Sequence, residues 1–369
     1  MMKPLLCQAL AALALVAALL ANGAANAQEA PLKIVAVDVE GGTATLVVTP
    51  QGHSVLFDAG WPAGRGITAP PKDAPTPATP APGNAERIIA AAKLMGVKKI
   101  DYLITTHYHV DHIGGVLELA SKFPIGTYVD HGQNRELLSA QAKSMGPNSP
   151  IALYDTYIKA IAGKPHREMR AGDKLKVDDL LLTAVASDEK FAKAPGAGKA
   201  GVNCDQVKAH NENDEIENQF SLGVVATYGK ARIAMLSDQV WRIENEMVCP
   251  NNLIGKVDLA FVNNHGTDTS TSPVYLQNIK PTIMVMANGV QKGGGPETLK
   301  ILKAEGMDVW QIHFAVRSPE LNYPPEQIAN IEALPMAINP LHVNVLKSGV
   351  ITVANARNGF SKTYPKVTP

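Results

Sequence analysis

The apolar positions of the chain alternate between short β-type runs and helical stripes. Leu32 to Val39, Thr45 to Val48 and Ser54 to Phe57 are rich in Val, Ile and Leu and are parted by Gly41-Gly42 and Gln51-Gly52, which predicts an antiparallel meander. From Ala85 to Leu94 the spacing changes, and Ile88, Ile89, Ala92 and Leu94 give one apolar face that stops before Gly96, as a helix would. Ile100 to Thr105 then reads as a strand, Ile113 to Lys122 as a helix and Ile125 to Val129 as a strand. Further strands are expected at Leu180 to Val185, Ser221 to Tyr228, Ala231 to Leu236, Val257 to Val262, Thr282 to Met286 and Val309 to Ile312, with a helix at Glu297 to Glu305. Strands open the chain, helices follow and the order repeats. That pattern suits an α/β fold, an αββα sandwich of two mixed β-sheets with outer helices. Two stretches read as excursions from this core: 61–83, dense in Pro and Ala without an apolar period, and 133–218, with its Gly/Ala/Lys-rich run at 193–201.

The first residues stand outside that pattern. Lys3, an apolar run from Ala9 to Leu20 and the small residues ending Ala25-Asn26-Ala27 have the order of a secretory signal, with cleavage expected after Ala27 and a periplasmic or secreted product. The strictly apolar centre is short for a membrane span. Residues 28–369 are then expected to form a single domain carrying the inserted segments. Cys204 and Cys249 become its two cysteines, open to a disulfide or to two separate thiols. With 34 basic against 34 acidic residues and no basic tract, the chain lacks the electrostatic footprint of a duplex-DNA binder, so a small-molecule substrate is the expected partner.

The chemistry concentrates in Thr105-Thr106-His107-Tyr108-His109-Val110-Asp111-His112-Ile113-Gly114-Gly115. Three His and one Asp follow a buried strand directly and precede a helix, where loop side chains converge at the strand's C-terminal end. An ordinary capped helix has no use for such density, whereas a divalent metal does. His107 and His109, two apart, project to one side; Asp111 and His112 face a second point close by.

His107 to His112 matches the HxHxDH signature and so resembles the metallo-β-lactamase-fold hydrolases. Three more segments are similar to that family's motifs. Phe57-Asp58-Ala59-Gly60 looks like its early strand-end Asp, Leu236-Ser237-Asp238 like the Asp shared by two metals, and Asn263-Asn264-His265-Gly266 like the last His ligand. Asp38-Val39-Glu40-Gly41-Gly42-Thr43-Ala44-Thr45-Leu46, together with Asn218-Gln219-Phe220-Ser221-Leu222 and the run from Tyr228 to Asp238, is similar to the hydrolase domain of DNA-uptake competence proteins and their exported stand-alone relatives. The resemblance implies two divalent ions, Zn first with Mn or Fe as alternatives. His107 and His109 would hold one, Asp111, His112 and His265 the other, and Asp238 both. It implies metal-dependent hydrolysis of an ester-type bond, a phosphodiester or a small ester or lactone, with β-lactam hydrolysis or a catalytically idle metal-binding or ligand-sensing protein as the alternatives. Asp111 would also take a proton from the attacking water or orient it, and Asp58 would steady a ligand His through its distal N–H.

Two positions depart from the pattern. Where the family has a third His, before the Ser221 to Tyr228 strand, this chain has Glu217-Asn218, and Asn218 is taken as an outer contact of the site. Glu40 stands where the competence proteins keep a small residue. His131, at the end of another strand, is a proton donor to the leaving group, a contact to substrate, or a turn His before Gly132. Asn288-Gly289 and Lys292 to Gly295 read as a rim loop, and His166, His210, His313 and His342 as ordinary surface or core residues.

Overall fold

The computed structural model describes residues 29–64, 82–136, 146, 149–210, 216–332 and 338–366; the expected leader 1–27 and most of the stretch 61–83 lie outside them. The early apolar runs pair as their turns require, with Leu32–Ala36, Thr45–Val48 and Ser54–Phe57 antiparallel. Ile100–Ile104 joins Ser54–Phe57 in parallel, and Ile125–Asp130 and His166–Glu168 continue outward. On the other flank Leu341–Val345 pairs with Leu32–Ala36, followed by Ile351–Asn355 and Ser361–Tyr364, all antiparallel. In the second sheet Lys174–Val177, Leu180–Ser187, Gly223–Tyr228 and Ala231–Met235 run antiparallel. Leu259–Phe261, Ile283–Met286, Val309–His313 and Ile328–Asn330 then follow in parallel. Both sheets are therefore mixed.

Alternating side chains of the two sheets, among them Ile34, Phe57, Ile104, Val224, Ile233 and Trp310, fill the space between them. Each such aliphatic or aromatic side chain, once buried, contributes about 1.5–3 kcal/mol over leaving it in water. The outer faces are covered by Asn84–Leu94, Val116–Lys122 and Pro150–Ile161 on one side. Trp241–Val248, Pro273–Ile279 and Pro296–Ala304 cover the other. The layers are helix, sheet, sheet, helix, as the hydrophobic pattern predicts. Among the described residues no helix is long and apolar enough to cross a membrane.

Three expectations change. Part of the stretch 133–218 belongs to the layered core: among its described residues, Leu180–Ser187 is hydrogen-bonded between Gly223–Tyr228 and Lys174–Val177, and Tyr157 and Ile161 sit in the outer core. The Gly/Lys-rich run beside that strand hid its place in the sheet. The helix expected at Ile113 to Lys122 divides into Val110–Ile113 and Val116–Lys122. At the break, a Cβ on Gly115 would stand 2.1 Å from the Ala59 carbonyl and one on Gly114 2.3 Å from Pro62, so only glycine lets the Asp58-Ala59-Gly60 loop approach. The strands after residue 340 were not foreseen; their polar positions at His342 and Asn344 make a half-buried alternation weaker than the runs upstream.

The departure at Glu40 also has a structural reason. Arg87, fully buried on Asn84–Leu94, lies 3.2 Å from Glu40 Oε1 and 3.6 Å from Asp38 Oδ1, and donates to the Asp38 carbonyl at 3.1 Å. His313 Nε2 lies 2.8 Å from Asp38 Oδ1, so this expected bland His is part of a buried ionic group. Burial alone would hold its imidazole down, but Asp38 and Glu40 outweigh that and raise its pKa above the ordinary 6.5. A raised folded pKa means stabilisation that is complete below the unfolded value and fades as pH climbs through the folded one. His313→Gln should therefore lose most stability, relative to the parent, below about pH 6.5, with the gap narrowing toward alkaline pH. Urea midpoints measured for both proteins across that range check it; a gap independent of pH would mean that the ring is held neutral.

A candidate two-metal centre

The parallel strands of both sheets end at one edge, and every ligand predicted from sequence sits there, on the loop or short helical turn that follows a strand. Asp58 follows Ser54–Phe57, His107 to His112 follow Ile100–Ile104, Asp238 follows Ala231–Met235 and His265 follows Leu259–Phe261. The backbone is forced at these points. Asp58, Ser237, Asn264 and His265 have φ of 58°, 60°, 46° and 53°, in the left-handed region that residues with a Cβ enter at a cost. Hydrogen bonds hold them there: Asp58 N–H donates to Ile104 O at 2.8 Å and Asn264 N–H to Ser237 O at 3.1 Å.

Asp111 Oδ2, His112 Nε2, Asp238 Oδ2 and His265 Nε2 converge on one point. His112 Nε2 lies 3.2 Å from Asp111 Oδ2, 3.3 Å from Asp238 Oδ2 and 3.2 Å from His265 Nε2. His265 Nε2 lies 3.0 Å and 3.2 Å from the same two carboxylate oxygens. Four donors held ~2.0–2.1 Å from a central ion in a tetrahedron stand about 3.3 Å apart, so this cluster has the dimensions of a closed N/O site. All four residues are buried. The neighbouring position is more open. His107 Nε2 faces His109 Nδ1 at 3.1 Å and Asp238 Oδ2 at 4.0 Å, placing Asp238 between the two groups.

The outward nitrogen of each imidazole is engaged, which turns the other inward. His112 Nδ1–H donates to Asp58 Oδ2 at 2.8 Å, and His265 Nδ1–H donates to the Ala287 carbonyl at 3.0 Å. His107 Nδ1 lies 3.2 Å from Thr106 Oγ1, whose hydroxyl donates to Asp58 Oδ2 at 2.7 Å. One carboxylate thus steadies two ligand histidines. His109 Nε2 faces Glu136 Oε1 at 3.6 Å, a residue that no local pattern in the sequence singles out.

Electrostatics divide the histidines. Burial favours a neutral His112, yet Asp238, Asp111 and Asp58 together lift its pKa well above the ordinary value. Asp238 moves the other way, well below its usual range, because His112 and His265 outweigh burial. His107 is pushed well down by burial and by the His112 and His109 rings, leaving a neutral ring with a free lone pair. Carboxylates kept ionised beside imidazoles are what a dication requires of its ligands.

Glu217, at the position of the missing third His, turns away from the centre. Its Oε1 lies 2.8 Å from His131 Nε2, its Oε2 accepts Arg135 N–H at 2.7 Å, and its own N–H donates to Glu136 Oε1 at 3.2 Å. His131, expected as a proton donor, a substrate contact or a turn His, is fully buried, bonded to Glu217 and 4.7 Å ring to ring from Tyr108. Asn218 is buried in the short helix Ile216–Phe220, its carbonyl accepting Ser221 N–H at 3.2 Å, while the carboxylate beside His109 is Glu136. His210 stacks on Trp241 at 4.2 Å. Cys204 and Cys249 form a disulfide that ties the segment before Glu217 to the end of Trp241–Val248.

Residues 37–182 match the family model of the metallo-beta-lactamase superfamily. The chain is 23% identical over 256 residues to recombination protein 2 of Haemophilus influenzae, covering 69% of this chain and 24% of that protein. It is 34% identical over 85 residues to hydroxyacylglutathione hydrolase of Xanthomonas euvesicatoria, covering 23% of this chain and 32% of the relative. The chain thus matches only a quarter to a third of the length of these curated relatives. Among solved structures, the metallo-beta-lactamase fold protein YhfI of Bacillus subtilis is similar over 76% of this chain and 96% of its own, at 11% identity and a TM-score of 0.41.

Proposed function

Since the chain carries a metallo-beta-lactamase superfamily domain over residues 37–182, we propose that it is a metal-dependent hydrolase of an ester-type bond, with a phosphodiester first and a small carboxylic ester or lactone second. The observation that carries this reading is the cluster of Asp111, His112, Asp238 and His265, four buried donors at ligand spacing with His107 and His109 alongside. Those residues would hold one divalent ion firmly and a second more loosely. A bound divalent ion lowers the pKa of water and polarises the bond under attack. The chain's own part is to fix geometry and protons. Asp58 and Thr106 orient His112 and His107, Glu136 faces His109, and Asp111, kept ionised by Lys292 and His112 despite burial, would serve as a ligand and orient the attacking water.

N/O ligation without thiolate suits Zn, Mn or Fe. The disulfide supports an exported protein, since such bonds persist in oxidising compartments. Near-neutral charge favours a small substrate over long nucleic acid. A catalytically idle sensor stays as the second reading, motivated by Glu217 facing His131 rather than the first metal position.

The test is to strip the protein with chelator, add Zn in steps and follow both binding and hydrolysis of bis-p-nitrophenyl phosphate and p-nitrophenyl acetate. The expected result is a tight first equivalent, a weaker second, and turnover that needs added metal and is lost in His109→Ala. Metal binding without turnover of any ester would leave the sensor reading, and undiminished turnover in His109→Ala would remove the reaction from this cluster.

A further inference from the structure

We infer that Lys292 is the residue by which this site recognises a negatively charged substrate, an ester whose oxyanion lies beside the bond that is cut. The inference rests on the hydrolase reading above and narrows its substrate class.

Lys292 lies on the glycine-rich loop after Ile283–Met286, and that loop is fastened to the site. Gly294 N–H donates to His265 O at 3.1 Å, Gly295 N–H to Gly266 O at 2.7 Å, and Gly289 N–H to Lys292 O at 2.8 Å. A Cβ on Gly293 would fall 2.1 Å from His265 O, and one on Gly41 2.8 Å from Gly289 N. Backbone packed this closely has little room to shift, so the lysine is aimed by the fold. Its ammonium contacts Asp111 Oδ2, lies 5.1 Å from the centre of the Trp61 ring, and its side chain stays 31% exposed at the mouth of the centre.

A cation in this place is out of keeping with a site built only to bind metal. Asp111 is already faced by His112 and His265, and a lysine beside it opposes any further positive charge. Once dications balance Asp111 and Asp238, the ammonium is left next to a positive centre with its exposed side toward solvent. An anion entering from solvent relieves that repulsion, whereas a neutral substrate does not. Lys presents a compact point charge with three donors, which suits phosphate or carboxylate oxygens approaching from several directions. The Trp61 face offers the ammonium a weaker resting place when no anion is present.

The experiment is calorimetric titration of inorganic phosphate into the Zn-loaded full chain, its Lys292→Met variant and its Lys292→Arg variant, each with metal content counted by elemental mass spectrometry. At equal metal content, Lys292→Met should bind phosphate about ten- to a hundredfold more weakly, the range of one charge-assisted hydrogen bond, and Lys292→Arg should recover most of the loss. Lys292→Met should also raise KM for bis-p-nitrophenyl phosphate by a larger factor than it changes KM for p-nitrophenyl acetate, and Lys292→Arg should remove most of that difference. Unaltered phosphate affinity in Lys292→Met overturns the inference, and so does loss of the metal itself, which would assign Lys292 to holding the ligands. If no ester is turned over by any loaded protein and phosphate binding still depends on Lys292, the anion site stands and the hydrolase reading is the one that fails.

Discussion

Asp238→Ala is expected to leave the protein folded but unable to retain either ion, and to cut ester hydrolysis by at least about a thousandfold, the loss of several kcal/mol of transition-state stabilisation. The reason is position. Asp238 Oδ2 is 3.3 Å from His112 Nε2 and 3.2 Å from His265 Nε2 on one side, and 4.0 Å from His107 Nε2 on the other. Its carboxylate lies between the two histidine pairs. Removing it deprives the closed position of one of four donors and the open position of the carboxylate oxygen beside His107. His109→Ala, by contrast, should spare the closed position and retain one ion. Counting metal per chain after gel filtration separates the two, and a single tight ion in Asp238→Ala would show that Asp238 is not shared.

The second large effect is on stability, in the buried ionic group of Arg87, Asp38 and Glu40. Arg87→Leu should cost about 3–5 kcal/mol, read as a fall in the urea midpoint with unchanged slope, because it leaves Asp38 and Glu40 buried without their cation. Arg87 and Asp38 are 0% exposed and Glu40 2%, so water cannot take over. The loop that these carboxylates anchor also meets the site: Thr43 N–H donates to the Asp111 carbonyl at 3.1 Å, and Gly60 N–H to the Thr43 carbonyl at 2.9 Å. The damage should therefore reach metal affinity as well. A cost below about 1 kcal/mol would mean that His313 alone can compensate the pair.

What could be read from sequence follows from how local each signal is. His107, His109, Asp111 and His112 announce themselves because four ligand side chains, three His and one Asp, crowd six positions at a strand end. Asp238 and His265 are isolated residues after apolar strands, and only the resemblance gave them weight. Lys292 meets Asp111 across 181 positions and Glu217 meets His131 across 86, so no window of sequence contains either contact. Arg87 breaks an apolar helical face and reads as a solvent position, although its guanidinium is fully enclosed. The layered fold was legible because both sheets are made of strongly apolar runs. The last three strands were not, since their inner face is interrupted by polar residues that look outward.

The left-handed backbone at Ser237 and His265 sets stability and activity against each other. Glycine would adopt those angles without the penalty of a Cβ, about 1–2 kcal/mol for each residue held there. At His265 that gain could be had only by giving up a donor of the closed cluster. A lineage that lost its need for metal would find an immediate thermodynamic reward in erasing this ligand, and one that keeps the histidine accepts a standing handicap in folding. Persistence of a side chain in such a place is then informative about selection in a way that a comfortable core leucine is not.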